Sequence, residues 1–258
     1  MLPPSEGKAV PARGAALDLA GLSLPALTGA REAVIDALVS LSQGDPATAM
    51  AVLEVPKTQP ELVALNARLR TAPTARASRI YTGVVYDALS FDTLSPAAKR
   101  RATSRVVVTS SVFGLVGLAD RIPSYRLSGD TTLPGLPGSG GVQAHWRAHL
   151  EPAVLEALGG GLLVDLRSGT YAAFWRPAAV APRTATVRVL HEVGGVRKVV
   201  SHFNKATKGR IVRALLESGA GPRTPAALAD ALRDLGWTVE LSAPGRTGTQ
   251  LDVVVTAL

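Results

Sequence analysis

Apolar residues recur every three or four positions through the N-terminal third of the chain, which is the spacing of amphipathic helices. Proline stands at the favourable first position of two of the predicted segments. The helices predicted in this part lie at 31–41, 46–55 and 60–72. Helical spacing returns later in the chain and predicts a short helix from Ser95 and longer helices at 142–158, 205–218 and 225–235.

Short apolar or alternating runs bounded by turn residues predict strands between these helices. The predicted strands lie at 79–85, 105–109, 162–166, 171–175, 185–191, 198–202, 238–242 and 250–256. Residues 110–141 form a long glycine-rich and proline-broken segment, of a length typical of functional loops. No repeat and no linker divides the chain. We therefore expect residues 1–258 to form a single compact α+β domain, in which helices surround a mixed β-sheet.

The helix predicted at 205–218 begins with an unusual arrangement of charge. Asn204 suits an N-cap and Gly219 a C-terminal stop, so Lys205 and Lys208 fall in the first turn. Helical geometry places both lysines on the apolar side and Arg213 on the opposite, solvent-facing side. Two ammonium groups at the positive end of a helix repel its dipole unless an anion is bound between them. The alternative is that both lysines extend from the helix edge into water.

The charge balance of the chain favours anionic partners. Its formal net charge is +8 and its pI is about 10.3, although a basic pI also describes many proteins that bind no nucleic acid. Of the 28 basic residues, only six are Lys. The absence of cysteine excludes disulfide partners, thiol redox chemistry and cysteine-ligated metals. With no signal sequence and no long apolar run, we expect a cytoplasmic protein without a membrane partner.

No metal or other cofactor is predicted. His145 and His149 have the i, i+4 spacing of metal ligands, but Trp146 stands where a zinc protease motif requires glutamate. This spacing is therefore not sufficient evidence for a metal site.

Two short segments suggest phosphate binding and two suggest base stacking. Residues 5–8, Ser-Glu-Gly-Lys, lack the spacing of a P-loop. Residues 114–117, Gly-Leu-Val-Gly, fit the turn of a helix-hairpin-helix element or a plain glycine-rich turn. The tyrosines of 81–86 and 123–127 are suited to stack on a base or to pack in the core.

Several segments along the whole chain together match one known family. They are Pro-Pro-Ser-Glu-Gly-Lys at 3–8, Asn66 with Ala67, Tyr-Thr-Gly at 81–83, residues 110–127, Trp146, residues 165–168 before Tyr171, and residues 203–209. With these segments the chain resembles the YaaA family of peroxide-stress proteins, formerly a family of unknown function.

The resemblance implies a compact α+β fold with a positively charged cleft that contains a helix-hairpin-helix-like element and binds DNA. It also implies a role in limiting damage from hydrogen peroxide and free iron. The residues that it groups into this cleft are Ser5, Lys8, Asn66, Tyr81, Ser110, Arg126, Lys205 and Lys208.

Two functions from different classes follow for this cleft. In the first, the protein is a stress protein that binds DNA or a nucleotide-like anion. In the second, it is an enzyme that acts on a nucleotide, a nucleobase or another small anionic metabolite. Lys205 and Lys208 would then hold a phosphate or carboxylate, and Arg126 would bind it in a bidentate manner. The candidates for catalysis are Tyr81, Ser110 and Lys205, and no reaction is predicted.

Overall fold

Helices make up most of the first hundred residues. The computed structural model describes residues 1–256, and of residues 201 and 202 it describes the backbone alone. The helices of this part are α1 (Thr28–Gln43), α2 (Pro46–Val52), α3 (Glu61–Ala67), α4 (Ala77–Ile80), α5 (Val84–Leu89) and α6 (Pro96–Arg105). Side-chain oxygens cap two of them, because Asp45 accepts from the backbone at the start of α2 and Ser95 does so at α6.

Two short antiparallel pairs of strands lie between residues 75 and 122. Strand β1 (Ala75–Arg76) pairs with β4 (Arg121–Ile122), and β2 (Val107–Ser110) pairs with β3 (Gly114–Gly117). The strand predicted at 105–109 is thus confirmed as β2. The strand predicted at 79–85 is wrong, because this short apolar run forms the end of α4 and the start of α5, with a turn at Gly83 (φ 89°) between them.

The expected helix-hairpin-helix turn at 114–117 is also wrong. These residues are the buried strand β3, hydrogen-bonded to β2 along its whole length. Its other edge is occupied by the buried Arg31, whose guanidinium donates to the carbonyl oxygens of Phe113 (3.0 Å) and Leu115 (2.8 Å). Burial lowers the pKa of Arg31 to about 10. The glycines therefore flank a core strand instead of a phosphate-binding turn.

The second half of the chain is built on a mixed sheet. Its elements are α7 (Val142–Leu158), β5 (Leu163–Asp165), α8 (Gly169–Ala172), β6 (Thr184–Val193), β7 (Val196–Lys198), α9 (Ser201–Ser218), α10 (Pro225–Asp234), β8 (Thr238–Leu241) and β9 (Thr249–Val255). The strand order is β5-β6-β9-β8, with β7 paired to the end of β6. The β5–β6 and β6–β9 pairs are parallel and the β8–β9 and β6–β7 pairs antiparallel, which confirms an α+β fold with a mixed sheet.

The first two residues connect the two halves. Leu2 donates to the carbonyl oxygen of Val107 and accepts from the backbone N–H of Thr109, both at 2.9 Å. The carbonyl oxygen of Met1 accepts from Leu166, next to β5, at 3.0 Å. The buried apolar side chains form one core that extends from Met1 to the strands at the end of the chain.

Two further differences from the sequence prediction concern the second half. Residues 171–175, predicted as a strand, contain the end of α8. The strand predicted at 198–202 ends as β7 at Lys198, and α9 then begins at Ser201, four residues before the predicted start. Within residues 1–256, no helix combines the length and the apolarity that a bilayer crossing requires.

Candidate anion-binding site

Lys8 is held next to Tyr81 by a backbone bridge. Lys8 and Tyr81 form an antiparallel β-bridge, and the N–H of the next residue, Ala9, donates to the carbonyl oxygen of Ile80 at 2.8 Å. The ammonium donates to the Ser5 carbonyl oxygen at 2.7 Å and lies 4.2 Å from the ring centroid of Tyr125. Burial, together with the nearby positive charge of Arg126 and against the negative charge of Glu6, lowers the pKa of Lys8 to about 7.

Arg126 is positioned through its backbone by a residue sixty positions earlier in the chain. The buried Asn66 donates to the Arg126 carbonyl oxygen at 2.7 Å and accepts from the Arg126 N–H at 2.8 Å. The half-buried guanidinium has no ion pair and no hydrogen bond in the part of the chain that the structure describes, and its Nε is fully buried. Asn66 is thus a support, and Arg126 is a cation without a protein anion.

Three buried hydroxyl groups form a chain with a fixed direction. The Ser110 Oγ accepts from the backbone N–H groups of Val112 (3.3 Å) and Phe113 (3.0 Å), so its own hydrogen is directed to the Tyr125 hydroxyl at 2.8 Å. Tyr125 in turn donates to the Tyr81 hydroxyl at 3.1 Å. The Tyr81 O–H is left free to donate to a ligand. Burial raises the pKa of both tyrosines above the usual range, which keeps them protonated at neutral pH.

These residues form what we call the anion cluster: Lys8, Tyr81, Ser110, Tyr125 and Arg126. Ser5 adjoins it, since its hydroxyl accepts from the backbone N–H of Thr82 at 3.2 Å. Tyr171 is also near, because the charge of Arg126 acts on its hydroxyl, and burial raises its pKa to about 12. The sequence analysis considered Tyr125 for base stacking or core packing but did not place it in the cleft, and Tyr171 was noted only beside a segment that carries the family resemblance.

The two lysines of α9 lie elsewhere. Lys208 is buried and donates to the Leu166 carbonyl oxygen at 3.1 Å, and burial lowers its pKa. Lys205 is exposed, so the expectation that both lysines face inward is wrong for it. The helix also starts earlier than predicted, at Ser201 with Val200 as its N-cap, so neither lysine lies in its first turn. Among the described residues, no hydrogen bond or ion pair joins either lysine to the anion cluster.

The expected solvent-facing side of α9 also differs. Arg213 is half-buried and donates to the carbonyl oxygens of Leu89 and Ser90, both at 3.1 Å. This side of α9 therefore holds α5 and the segment after it. At Arg213 this side is part of the packing between helices, whereas Arg210 on the same side is exposed, as predicted.

The histidine pair of α7 is satisfied by the backbone. The His145 Nε2 lies 3.0 Å from the Ala30 carbonyl oxygen, and the His149 Nδ1 lies 2.8 Å from the carbonyl oxygen of His145. Within residues 1–256, no group of three His, Asp or Glu side chains is arranged to hold a metal ion.

Comparison with known proteins identifies the family of the chain. The family model described as peroxide stress protein YaaA matches residues 1–242. The chain belongs to the YaaA family. A UPF0246 protein of Streptomyces coelicolor is 54% identical over 258 residues, which cover 99% of this chain and 97% of the relative. A UPF0246 protein of Corynebacterium efficiens is 44% identical, covering 98% and 99%. One from Corynebacterium glutamicum is 39% identical over 217 residues, covering 83% of each chain.

Proposed function

We propose that this YaaA-family protein binds a small nucleotide-like anion at the anion cluster and acts in the response to peroxide stress. The observation that carries the proposal is the pair of cations Lys8 and Arg126, which lie close together without a carboxylate bound to either. Charged groups removed from water are normally paired, and Arg126 has a buried Nε with no partner among the described residues. A bound anion would supply the missing partner.

The groups that face the ligand position are all donors. Lys8, Arg126 and the free O–H of Tyr81 each offer hydrogen atoms, which suits phosphate or carboxylate oxygens. Their burial favours a small ligand, because the phosphates of a DNA duplex contact exposed cations on a surface. The net charge of +8 and the exposed Lys205 support duplex DNA as the other anionic partner to be tested.

The test is binding to the purified full chain, by native mass spectrometry and calorimetry, of nucleoside monophosphates, sulfate and a short DNA duplex at several salt concentrations. We expect Arg126→Gln to weaken binding of the small anion by about 10- to 100-fold, because one charge-assisted contact contributes about 1.5–3 kcal/mol. Arg223→Gln is the matched control, since Arg223 is exposed and lies outside the cluster. Unchanged affinity for small anions in Arg126→Gln would contradict the proposal.

The DNA version is tested in the same experiment. If duplex DNA is the partner, its affinity falls steeply as the salt concentration rises. In Lys205→Ala the slope of log affinity against log salt concentration is then smaller by about one. If Lys205→Ala binds the duplex with the same salt dependence as the wild type, this lysine does not contact the DNA phosphates.

An enzymatic function is supported by one specific observation. Lys8 has a pKa of about 7, which suits a group that takes up and releases a proton at neutral pH, and its Nζ lies 5.9 Å from the ring centroid of Tyr81. Incubation with nucleotides and nucleobases, followed by mass analysis of the products, tests it. Product formation that is lost in Lys8→Met supports the enzyme, and an unchanged substrate mixture with the wild type argues against it.

A further inference from the structure

A second group of cations surrounds a cavity of about 450 Å³ that is separate from the anion cluster. The cations that line it come from separate parts of the chain and are Arg13, Arg76, Arg79, Lys99 and Arg121. Asp92 is the acidic residue in the lining, so positive charge is in excess. We call this cavity the arginine pocket.

The cations of the arginine pocket are not neutralised by the protein. Arg76 of β1 and Arg121 of β4 lie directly opposite each other in the antiparallel pair, a position in which like charges are destabilising. Arg121 donates to the Thr74 carbonyl oxygen at 2.8 Å, and Lys99 donates to the Asp92 carbonyl oxygen at 2.7 Å. These carbonyls carry no full charge. In the described part of the chain, none of the five cations takes part in an ion pair.

The backbone around the arginine pocket is closely fitted. Gly14 has φ +152°, and a Cβ at this position would overlap the carbonyl oxygen of Thr74. The Thr74 N–H and hydroxyl both bond to the Ala15 carbonyl oxygen at 2.9 Å. These contacts fix the segment that carries Arg13 against the strand that carries Arg76. The cations therefore converge through backbone packing and not through flexible loops.

An aromatic cavity of about 490 Å³ adjoins the arginine pocket. The residues that line both are Ser78, Arg79, Phe91 and Asp92. The half-buried Phe91 is the aromatic residue shared by both cavities. The second cavity is also lined by Asp87 and by four buried residues, Tyr81, Tyr86, Leu89 and Leu118. Aromatic and apolar walls with a few polar groups are typical of sites that hold a nucleobase.

We infer that the two adjoining cavities bind a nucleoside polyphosphate, with the phosphate chain in the arginine pocket and the nucleoside in the aromatic cavity. Five converging cations against one carboxylate match a chain of two or three phosphates better than a single phosphate. The concave shape and the volume suit a small ligand. The site is independent of the anion cluster, apart from Tyr81, which belongs to both.

The inference is tested by calorimetry on the full chain with ATP, inorganic triphosphate and adenosine, at about 50 and about 200 mM salt. We expect ATP to bind more tightly than either of its parts, with an affinity that falls as salt increases. Arg79→Ala should weaken ATP binding about tenfold or more, because Arg79 lines both cavities. Arg223→Ala is the matched control and should bind as the wild type does.

The variants also separate this site from the proposed function. Lys8→Met alters the anion cluster and should weaken the binding of a nucleoside monophosphate there, while the ATP binding that is lost in Arg79→Ala should remain. Three outcomes would overturn the inference: no binding of ATP to the wild type at about 1 mM, equal losses in Arg79→Ala and Arg223→Ala, or binding of a DNA duplex that depends on Arg79 while ATP does not bind. The last outcome would assign the arginine pocket to a macromolecule.

Discussion

At the scale of single residues, Lys8 is the group with the most unusual environment. Its ammonium lies over the Tyr125 ring and forms no ion pair with the residues that the structure describes, and its charged neighbours are Arg126 and Glu6. An ordinary lysine stays charged throughout the neutral range, whereas Lys8 loses its proton near pH 7. The charge of the anion cluster therefore changes with pH near neutrality, where exposed lysines stay charged.

We predict that binding of sulfate to the anion cluster weakens as the pH rises through about 7. From about pH 6 to about pH 8.5 the affinity should fall by up to about 30-fold, the ratio of the protonated fractions of a group with a pKa of about 7. Sulfate keeps its charge over this range, so calorimetry reports the protein alone. Lys8→Met should bind more weakly and show little dependence on pH; a steep dependence in that variant would assign the titration to another group.

The same pKa shift affects stability with a defined sign. Between pH 7 and 10.5 the unfolded chain keeps a proton on Lys8 that the folded chain has released, so folding is favoured as the pH rises. Below pH 7 both states are charged and the full cost of burying the charge remains. From about pH 7 to pH 9, the unfolding free energy of the wild type should therefore increase relative to that of Lys8→Met.

Asn66 should matter for stability as much as for binding. Asn66→Ala removes both bonds to the Arg126 backbone and leaves buried polar groups unpaired, so the free energy of unfolding should fall by about 2–4 kcal/mol. Binding of sulfate should weaken as well, since Arg126 loses its support. Gln43→Ala is the matched control, because the Gln43 amide bonds to the Ala67 carbonyl oxygen at an exposed site, and urea denaturation should show a change within about 0.5 kcal/mol.

At the scale of elements, the contact between α5 and α9 is the closest approach of two helices near the site. Gly209 of α9 has no room for a side chain, because a Cβ there would overlap the carbonyl oxygen of Val85 and lie 2.8 Å from the Cβ of Ala88. The two helices are thus in backbone contact at this point. This contact fixes Tyr86 of α5 relative to Lys208 of α9.

Gly209→Ala should therefore destabilise the protein, although alanine is the better helix former. We expect a loss of about 1–3 kcal/mol from overpacking, measured by urea denaturation. Gly29→Ala in α1 is the matched control, since nothing lies within 4 Å of the added Cβ, and it should stabilise by up to about 1 kcal/mol. A stabilising Gly209→Ala would show that α9 can move away from α5.

The elements also show what could be predicted from the sequence. Helix α7 was predicted with its observed bounds, 142–158, because glycine flanks it on both sides. The start of α9 was missed, since Asn204 is a good N-cap in isolation but its N–H instead bonds to the Val200 carbonyl oxygen at 2.8 Å, inside a longer helix. Packing against the rest of the protein decided this start, and local preference did not.

Local sequence patterns predict even less of the site than of the secondary structure. The family resemblance grouped Lys8, Tyr81, Ser110 and Arg126, which the structure connects through hydrogen bonds and close charges. The support from Asn66 and the central position of Tyr125 depend on contacts between residues far apart in the chain. Spacing along a single sequence carries no information about such contacts.

At the scale of the whole molecule, the first two residues connect the helical half to the mixed sheet. Leu2 is 1% exposed, and its backbone N–H and its carbonyl oxygen both bond to β2. We expect Leu2→Ala to lower the free energy of unfolding by about 2–5 kcal/mol. Val10→Ala, at a residue that is 60% exposed, is the matched control and should change it by less than about 0.5 kcal/mol.

Hydrogen exchange extends this test to cooperativity. Because the core is continuous, Leu2→Ala should speed exchange of the amides of β3 and of β9 to a similar degree. Faster exchange in β3 alone would show that the two halves open separately.

The fixed direction of the hydroxyl chain has a consequence for ligand choice. The two N–H groups that donate to the Ser110 oxygen direct its hydrogen to Tyr125, so the hydrogen of the Tyr81 hydroxyl remains available to a ligand. An anionic oxygen at this position gains a hydrogen bond from Tyr81 in addition to the charge of Lys8 and Arg126. A weak acid that binds is favoured in its deprotonated form, and its apparent pKa is lower in the complex than in water. The cluster therefore selects the protonation state of its ligand as well as its charge.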